Sequence, residues 1–448
     1  MGVASWQGAT SAAGRVAADW TWTGDRFEAG VGIALAADGT IAEVLALSAL
    51  GATPSEIERL PHRALLPAFV DTHSHAFQRG LRGQGERYPK GQGNFWTWRE
   101  AMYDLVARLD AQTIYDLSLQ AFREMLAAGI ATVGEFHYVH HAGAIDTLDA
   151  TSLDDFSLDE PVLAAADDAG IRLVLLETYY RTGGVGKALE GGQKRFSTPS
   201  IDGYWRQMDA LAARLRTNQT LGAVAHSLRA AEPPDIAALY AEARRRGLVF
   251  HIHVEEQRKE IEDVVAVYGR RPMDLLLDAC QGAEAVTAIH CTHTTVEDLE
   301  RFFAAGGTTC VCPTTEGNLG DGFASFSEVG GERARLALGS DSNARISMLE
   351  EMRWLEFAQR LATETRGALR DDASRLAPVL LRAGSEAGAR ALGVAAGRIE
   401  QGQLADLLAI DLETPSLAGW EPQTLLESLI FGAGDGAIAR TMVGGVWR

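Results

Sequence analysis

Histidine is the residue type whose placement points to chemistry. The chain has eleven, and most fall towards the ends of apolar, β-rich runs: His73 and His75, then His137, His140 and His141, then His226, His251 and His253, and finally His290 and His293. A single histidine on an apolar strand is usually a packed core residue. Five separate runs that each carry one towards the end describe a cation site instead. His73-Ser74-His75 is the sharpest case, because residues i and i+2 of a strand face the same way and can share one ion. His251-Ile252-His253 repeats the spacing, and only one of its imidazoles need be a ligand. Asp341, at the end of the last run, adds a carboxylate. Three neutral imidazoles and a carboxylate form an N/O set suited to Zn²⁺ and tolerant of Fe²⁺ or Mn²⁺. No thiolate is expected to join them. Cys280, Cys291, Cys310 and Cys312 contain no CxxC pair and read as buried thiols rather than as a disulfide scaffold.

Residues this far apart need a scaffold that gathers strand ends. Eight apolar runs alternate with helix-period segments: Ala64–His75, Ala131–His140, Ile171–Tyr180, Leu221–Leu228, Gly247–Val254, Val286–Cys291, Gly307–Pro313 and Arg335–Asp341. Their near-continuous hydrophobicity suits strands buried on both faces. The intervening helical patterns include Arg99–Ala128, Pro234–Arg246 and Val296–Ala305, and Ser347 with Glu350 reads as a capping box. Together these predict an α/β fold, a TIM-like (β/α)8 barrel, whose active site lies at the C-terminal ends of the strands. The barrel is expected over residues 64–394. A hairpin around Asp38-Gly39 within Gly30–Val44, and strand-like Leu404–Leu412 and Ile438–Trp447, predict a small β-sandwich domain built from residues 1–63 and 395–448.

Composition removes several alternatives. With 46% hydrophobic and 23% charged residues over 448 positions, the chain can bury a large core. Lys plus Arg is 41 against 60 for Asp plus Glu, a net charge of −19, which argues against nucleic acid or an anionic membrane as partner. Met1–Trp20 has no apolar run after a basic start, so no signal peptide is read there, and no stretch approaches the ~20 apolar residues of a membrane span. A soluble, cytoplasmic protein is the expectation. Only Lys90, Lys187, Lys194 and Lys259 are lysines, and none lies in the third or fourth run. A metal-bridging carboxylated lysine is therefore not expected there, and a mononuclear site is.

The chain resembles the amidohydrolase superfamily in Leu66–His75, in the histidines of the fifth and sixth runs, in Ser340-Asp341-Ser342 and in the terminal segment Gly397–Leu407. Within it, the segments His73–Gln78, Phe95–Glu100, Glu135–His141, His226–Ala230, His251–Gln257, Thr315–Gly322 and Glu350–Glu356 resemble, in order, the N-formimidoyl-L-glutamate deiminases of bacterial histidine degradation. That resemblance implies hydrolysis of formimidoylglutamate to N-formylglutamate and ammonia by a homodimer with one Zn²⁺ per subunit. It places the ligands at His73, His75, His253 and Asp341, a proton shuttle at Glu256 and a further catalytic histidine at His290. It places substrate contacts at Gln78, Arg99, Tyr138, His226 and Arg229. The register from His253 favours Glu256 over the adjacent Glu255.

These residue types match what deimination requires. A metal lowers the pKa of bound water to about 7. Asp341 can take a proton from that water, Glu256 can carry protons to the leaving nitrogen, and His290 can hydrogen-bond the developing tetrahedral centre. Arg99, read as lying in a tryptophan-flanked loop after the first run, and Arg229 suit a small dicarboxylate, because guanidinium pairs carboxylate bidentately. The alternative is a related deaminase acting on a nucleobase or S-adenosyl compound, which would want an aromatic, apolar pocket in place of the arginines. A barrel that only stores or senses a metal would have no use for a proton shuttle.

Overall fold

The structure is a computed structural model describing residues 14–51, 54–88, 91–143, 157–330 and 333–448. Lys90 and the first part of the Met1–Trp20 segment lie outside the described residues. Eight parallel strands follow one another in chain order: Phe69–Ser74, Ile130–His137, Arg172–Tyr179, Gln219–Ser227, Phe250–Val254, Val286–His290, Thr308–Val311 and Leu336–Leu338. A parallel bridge between Ser74 and Asp341 joins the last strand end to the first and closes the barrel. Nearly every strand residue is buried, as a sheet covered by helices outside and filled by side chains inside requires.

The first predicted run proves to be two strands in different sheets. Glu58–Pro67 pairs with Arg15–Trp22 and with Leu407–Asp411, in an eight-stranded sheet drawn from both ends of the chain. The crossing to the barrel follows Pro67, which has no N–H for a ladder, and the next amide, Ala68, donates to the Asp406 carbonyl at 3.0 Å. Val31–Leu35 and Ile41–Ala46 form the expected hairpin. Gly39 turns at φ 81°, and a Cβ there would lie 2.7 Å from the Gly444 carbonyl oxygen, so only glycine fits.

The Arg99–Ala128 pattern is also two elements, the helices Phe95–Val106 and Ala111–Ala127. Asn94 caps the first, and Asp110 begins the second by accepting from the Thr113 amide at 2.8 Å. Arg99 therefore sits on a helix and not in a loop. Only half of the predicted capping box forms. Ser347 accepts from the Glu350 amide, but the Glu350 carboxylate turns to Arg353 at 2.9 Å.

One buried ion pair fastens the two sheets. Arg172, fully buried at the start of the third barrel strand, donates Nη2 at 3.0 Å and Nε at 3.2 Å to Asp406, whose Oδ1 also accepts from the Gly444 amide at 2.7 Å. Arg172→Met leaves Asp406 charged and buried without its guanidinium. Breaking such a pair costs about 3–5 kcal/mol, so the urea midpoint should fall sharply while ligand binding in the native state is retained. An unchanged midpoint would rule out the fastening role.

Candidate metal centre

The barrel closure itself assembles the ligand cluster. Asp341 donates its amide to the His73 carbonyl at 2.9 Å and accepts from the His75 amide at 2.8 Å, so the eighth strand end is clasped across the HxH segment. The Asp341 backbone is left-handed at φ 48°, as are Glu255 at 53°, His290 at 70° and Cys291 at 55°. Strained backbone of this kind gathers where surrounding structure fixes a functional geometry.

His73 Nε2 lies 3.2 Å from His253 Nε2 and 3.3 Å from Asp341 Oδ1, and His75 Nε2 lies 3.4 Å from the same oxygen. Ligand bonds of about 2.0–2.1 Å to a tetrahedral ion put neighbouring donors roughly 3.3–3.4 Å apart. The donors therefore fit a zinc-sized ion. Their ring orientation is held from behind: His75 Nδ1 donates to the Phe136 carbonyl at 2.7 Å and His253 Nδ1 to the His226 carbonyl at 2.9 Å. That pairing leaves each Nε2 as a lone pair facing the others, which a cation stabilises. Burial, reinforced by the neighbouring imidazoles, holds His73 and His253 well below the ordinary histidine range and His75 at about 3, so the ligand form is the neutral one.

Two neighbours stay outside this ligand set. His251 stays apart from this cluster, bonding its Nε2 to the Ala391 carbonyl at 3.0 Å. Cys312 does approach the centre, its Sγ lying within 4.8 Å of donor atoms of both His290 and Asp341. Burial keeps it a thiol by pushing its pKa well up, so it is a neutral neighbour and not a thiolate. The chain turns into the helix Pro313–Leu319 directly after the seventh strand, and this brings Cys312 to the strand-end plane.

Glu256 and Glu255 diverge. Glu256 lines the cleft above the cluster and accepts from Arg229 Nη2 at 2.9 Å. Glu255 is fully buried, accepting from Arg271 Nη2 at 2.9 Å and from the Met273 amide at 3.3 Å. His290 faces the cleft with Nε2 4.0 Å from Asp341 Oδ2 and Nδ1 3.3 Å from Glu316 Oε1. Burial opposes a charge on His290, but the hydrogen bond to Glu316 and the carboxylates of Glu256 and Asp341 outweigh it and raise the imidazole to about 10.

The remaining expected residues, Gln78, Arg99, Tyr138, His226 and Arg229, line the same cleft. Gln78 donates to Tyr138 Oη at 2.8 Å, and its buried Oε1 has no hydrogen-bond partner among the described residues. His226 bonds Ser227 Oγ at 3.0 Å and packs against the Tyr180 ring. Arg99 lies over the rings of Trp96 and Tyr103, and it forms no ion pair with a carboxylate among the described residues. Arg229, by contrast, is shared between Glu256 and Glu260, the latter at 3.9 Å.

Glu260 and Glu316 were not singled out from the sequence. Glu260 stands four residues after Glu256 in the first turn of the helix Arg258–Tyr268, a spacing that places it beside its predecessor. Glu316 lies inside the Thr315–Gly322 segment, but only the fold shows that it partners His290.

Residues 64–448 match the amidohydrolase family. The formimidoylglutamate deiminase of Pseudomonas aeruginosa is 38% identical over 417 residues, which cover 92% of this chain and 89% of that one. A 5-methylthioadenosine/S-adenosylhomocysteine deaminase of Natronomonas pharaonis is 27% identical over 85% of this chain and 80% of its own. Among solved structures, an amidohydrolase from Brucella melitensis superposes with a TM-score of 0.83 at 31% identity, covering 97% of this chain and 94% of that one.

Proposed function

The chain belongs to the amidohydrolase family, and within it we propose an enzyme that hydrolyses N-formimidoyl-L-glutamate to N-formyl-L-glutamate and ammonia, a step of histidine degradation. The observation that carries this reading is the presence, in one cleft, of the His73–His75–His253–Asp341 cluster, Glu256 and the two guanidinium groups of Arg99 and Arg229. The similarity to the Pseudomonas aeruginosa enzyme supports it at nearly full length.

The four clustered residues would hold one divalent ion in this centre, Zn²⁺ by the N/O donor set, which supplies an acidified water and polarises the C=N carbon. Glu256 is placed to take a proton from the attacking water and return it to the departing nitrogen, so that ammonia leaves as the formyl C=O forms. Asp341 can accept the second proton as the C=O forms and release it to the same nitrogen, so that both protons of the water leave with the ammonia. His290, steadied by Glu316, donates a hydrogen bond to the tetrahedral centre as charge builds on it. Gln78 Oε1, buried and without a hydrogen-bond partner among the described residues, offers an acceptor to a substrate N–H. The reading includes a homodimer working in the cytoplasm. No helix of the described residues is long and apolar enough to cross a membrane.

Arg99, which has no acidic partner among the described residues, is the natural seat of a substrate carboxylate. Losing one charged hydrogen bond in a partly desolvated pocket costs about 1.5–3 kcal/mol, so Arg99→Met should cut kcat/KM for formimidoylglutamate by roughly 10- to 150-fold. Arg229→Met should lose at least as much and should also lower kcat, because it strips Glu256 and Glu260 of their counter-charge. An analogue lacking one carboxylate should suffer less from Arg99→Met. Equal losses on both substrates would remove the carboxylate clamp from the account.

The aromatic lining, which includes Phe95, Tyr138, Tyr180 and Phe196, favours the second reading of a deaminase for a nucleobase or S-adenosyl compound. Such a substrate would leave the Arg99 guanidinium unpaired in the filled cleft, which costs free energy that a dicarboxylate recovers.

A further inference from the structure

Asp341 lies in a tight turn after the eighth barrel strand, and Asn343 closes that turn by donating its amide to the Ser340 carbonyl at 3.2 Å. The Asn343 backbone is left-handed at φ 56°, a region that asparagine enters more readily than most residues. Its side chain is fully buried and engaged at both ends. Nδ2 donates to Ser74 Oγ at 3.0 Å and to the Asp341 carbonyl at 3.2 Å, and Oδ1 lies 2.8 Å from Ser340 Oγ. Two N–H groups and one acceptor are what an asparagine amide offers, and all are used here. The chemistry proposed above gives Asn343 no part.

The partners of this amide reach the metal centre from behind. Ser74 points away from the face shared by His73 and His75, so a bond to its hydroxyl grips the HxH segment without touching a ligand atom. The same hydroxyl is hydrogen-bonded to Glu135, whose Oε1 accepts from the Ala76 amide at 2.6 Å. On the other side Ser340 bridges Asn343 to Asp71, and Asp71 Oδ1 accepts from the amides of Ser340 at 3.0 Å and His73 at 3.3 Å. The amides on either side of Ser74-His75 are thus held by buried carboxylates, and Asn343 links both to the turn that carries Asp341. The turn itself has further anchors. Arg82 donates to the Asn343 carbonyl at 2.8 Å, and the Asp341 backbone is bonded to His73 and His75. Loss of the Asn343 amide therefore shifts the turn and does not release it.

We propose that Asn343 is a positioning residue, which through Ser74 sets the Asp341 carboxylate against the imidazoles of His73 and His75. It thereby governs the hold on the ion and the use of Asp341 as proton acceptor. The inference rests on the reading of this cluster as the metal centre, and on no particular substrate. Groups that orient ligands in this way typically contribute 10- to 100-fold to metal affinity or activity.

The test is Asn343→Asp, which keeps the shape and the oxygen facing Ser340 but replaces the N–H donors with an oxygen turned to Ser74 and the Asp341 carbonyl. Zn²⁺ affinity is measured by chelator competition on folded protein, with thermal melts and with kinetics at saturating Zn²⁺. The Kd for Zn²⁺ should rise about 10- to 100-fold, and kcat should fall while KM stays near the wild-type value. Asn343→Gly, which accepts the left-handed backbone and deletes the side chain, should move Kd and kcat in the same direction. A lower Tm with Kd and kcat unchanged would show a merely structural residue and overturn the proposal. Should neither variant fold, Ser74→Ala decides: a raised Kd supports the link through Ser74, and an unchanged one overturns it. Wild-type protein that takes up no Zn²⁺ would overturn the metal-centre reading together with this one, whereas a wild type and variants that bind alike overturn this one alone.

Discussion

Glu256→Gln is expected to lower kcat by about 10²-fold or more, the usual scale for a lost general acid–base group, with the ion at His73–Asp341 retained. The amide keeps a hydrogen bond from Arg229 and the shape of the side chain, so binding should change far less than turnover. Glu255→Gln is the matched control. Glu255 faces Arg271 and the Met273 amide, away from the cleft, so its loss should appear in the Tm and leave kcat nearly unchanged. Steady-state kinetics with thermal melts on the two variants separate these effects. The opposite pattern would mean that the carboxylate serving the reaction is Glu255.

The second large effect is removal of the catalytic-centre ion. His73→Ala/His75→Ala deletes two of the four donors, and activity should fall to assay background. Wild-type protein stripped with a chelator should do the same and recover on Zn²⁺ addition. Recovery in the wild type and none in the double variant would tie activity to these donors. Full activity in a chelator-treated protein shown to be metal-free would remove the ion from the reaction.

The parts of this arrangement legible in the sequence are those set by local spacing. His73 and His75 face one ion because strand side chains alternate, and Asp341 and the strand-end histidines follow from the barrel periodicity. The parts not legible depend on long-range packing. Within the run Ala64–His75 only Pro67 hints at the change of sheet, and the apolar residues on both sides of it let the run read as one strand. Arg99 read as loop because the flanking tryptophans masked the Asn94 cap that starts its helix. His290 finds Glu316 twenty-six positions later, and Cys312 comes near Asp341, only because the sixth, seventh and eighth strand ends meet in one plane. His137 and His140 were visible as strand-end histidines, but their carboxylate partners arrive from a crossover and from the third strand.

The most direct measurement is ammonia release by the purified, Zn²⁺-loaded protein against formimidoylglutamate, formimidoylaspartate, guanine and S-adenosylhomocysteine under the same conditions. The account predicts the highest kcat/KM for formimidoylglutamate, a weaker response to the shorter dicarboxylate, and no turnover of the two purine compounds. Preferred turnover of guanine or S-adenosylhomocysteine, with formimidoylglutamate inert, would contradict it.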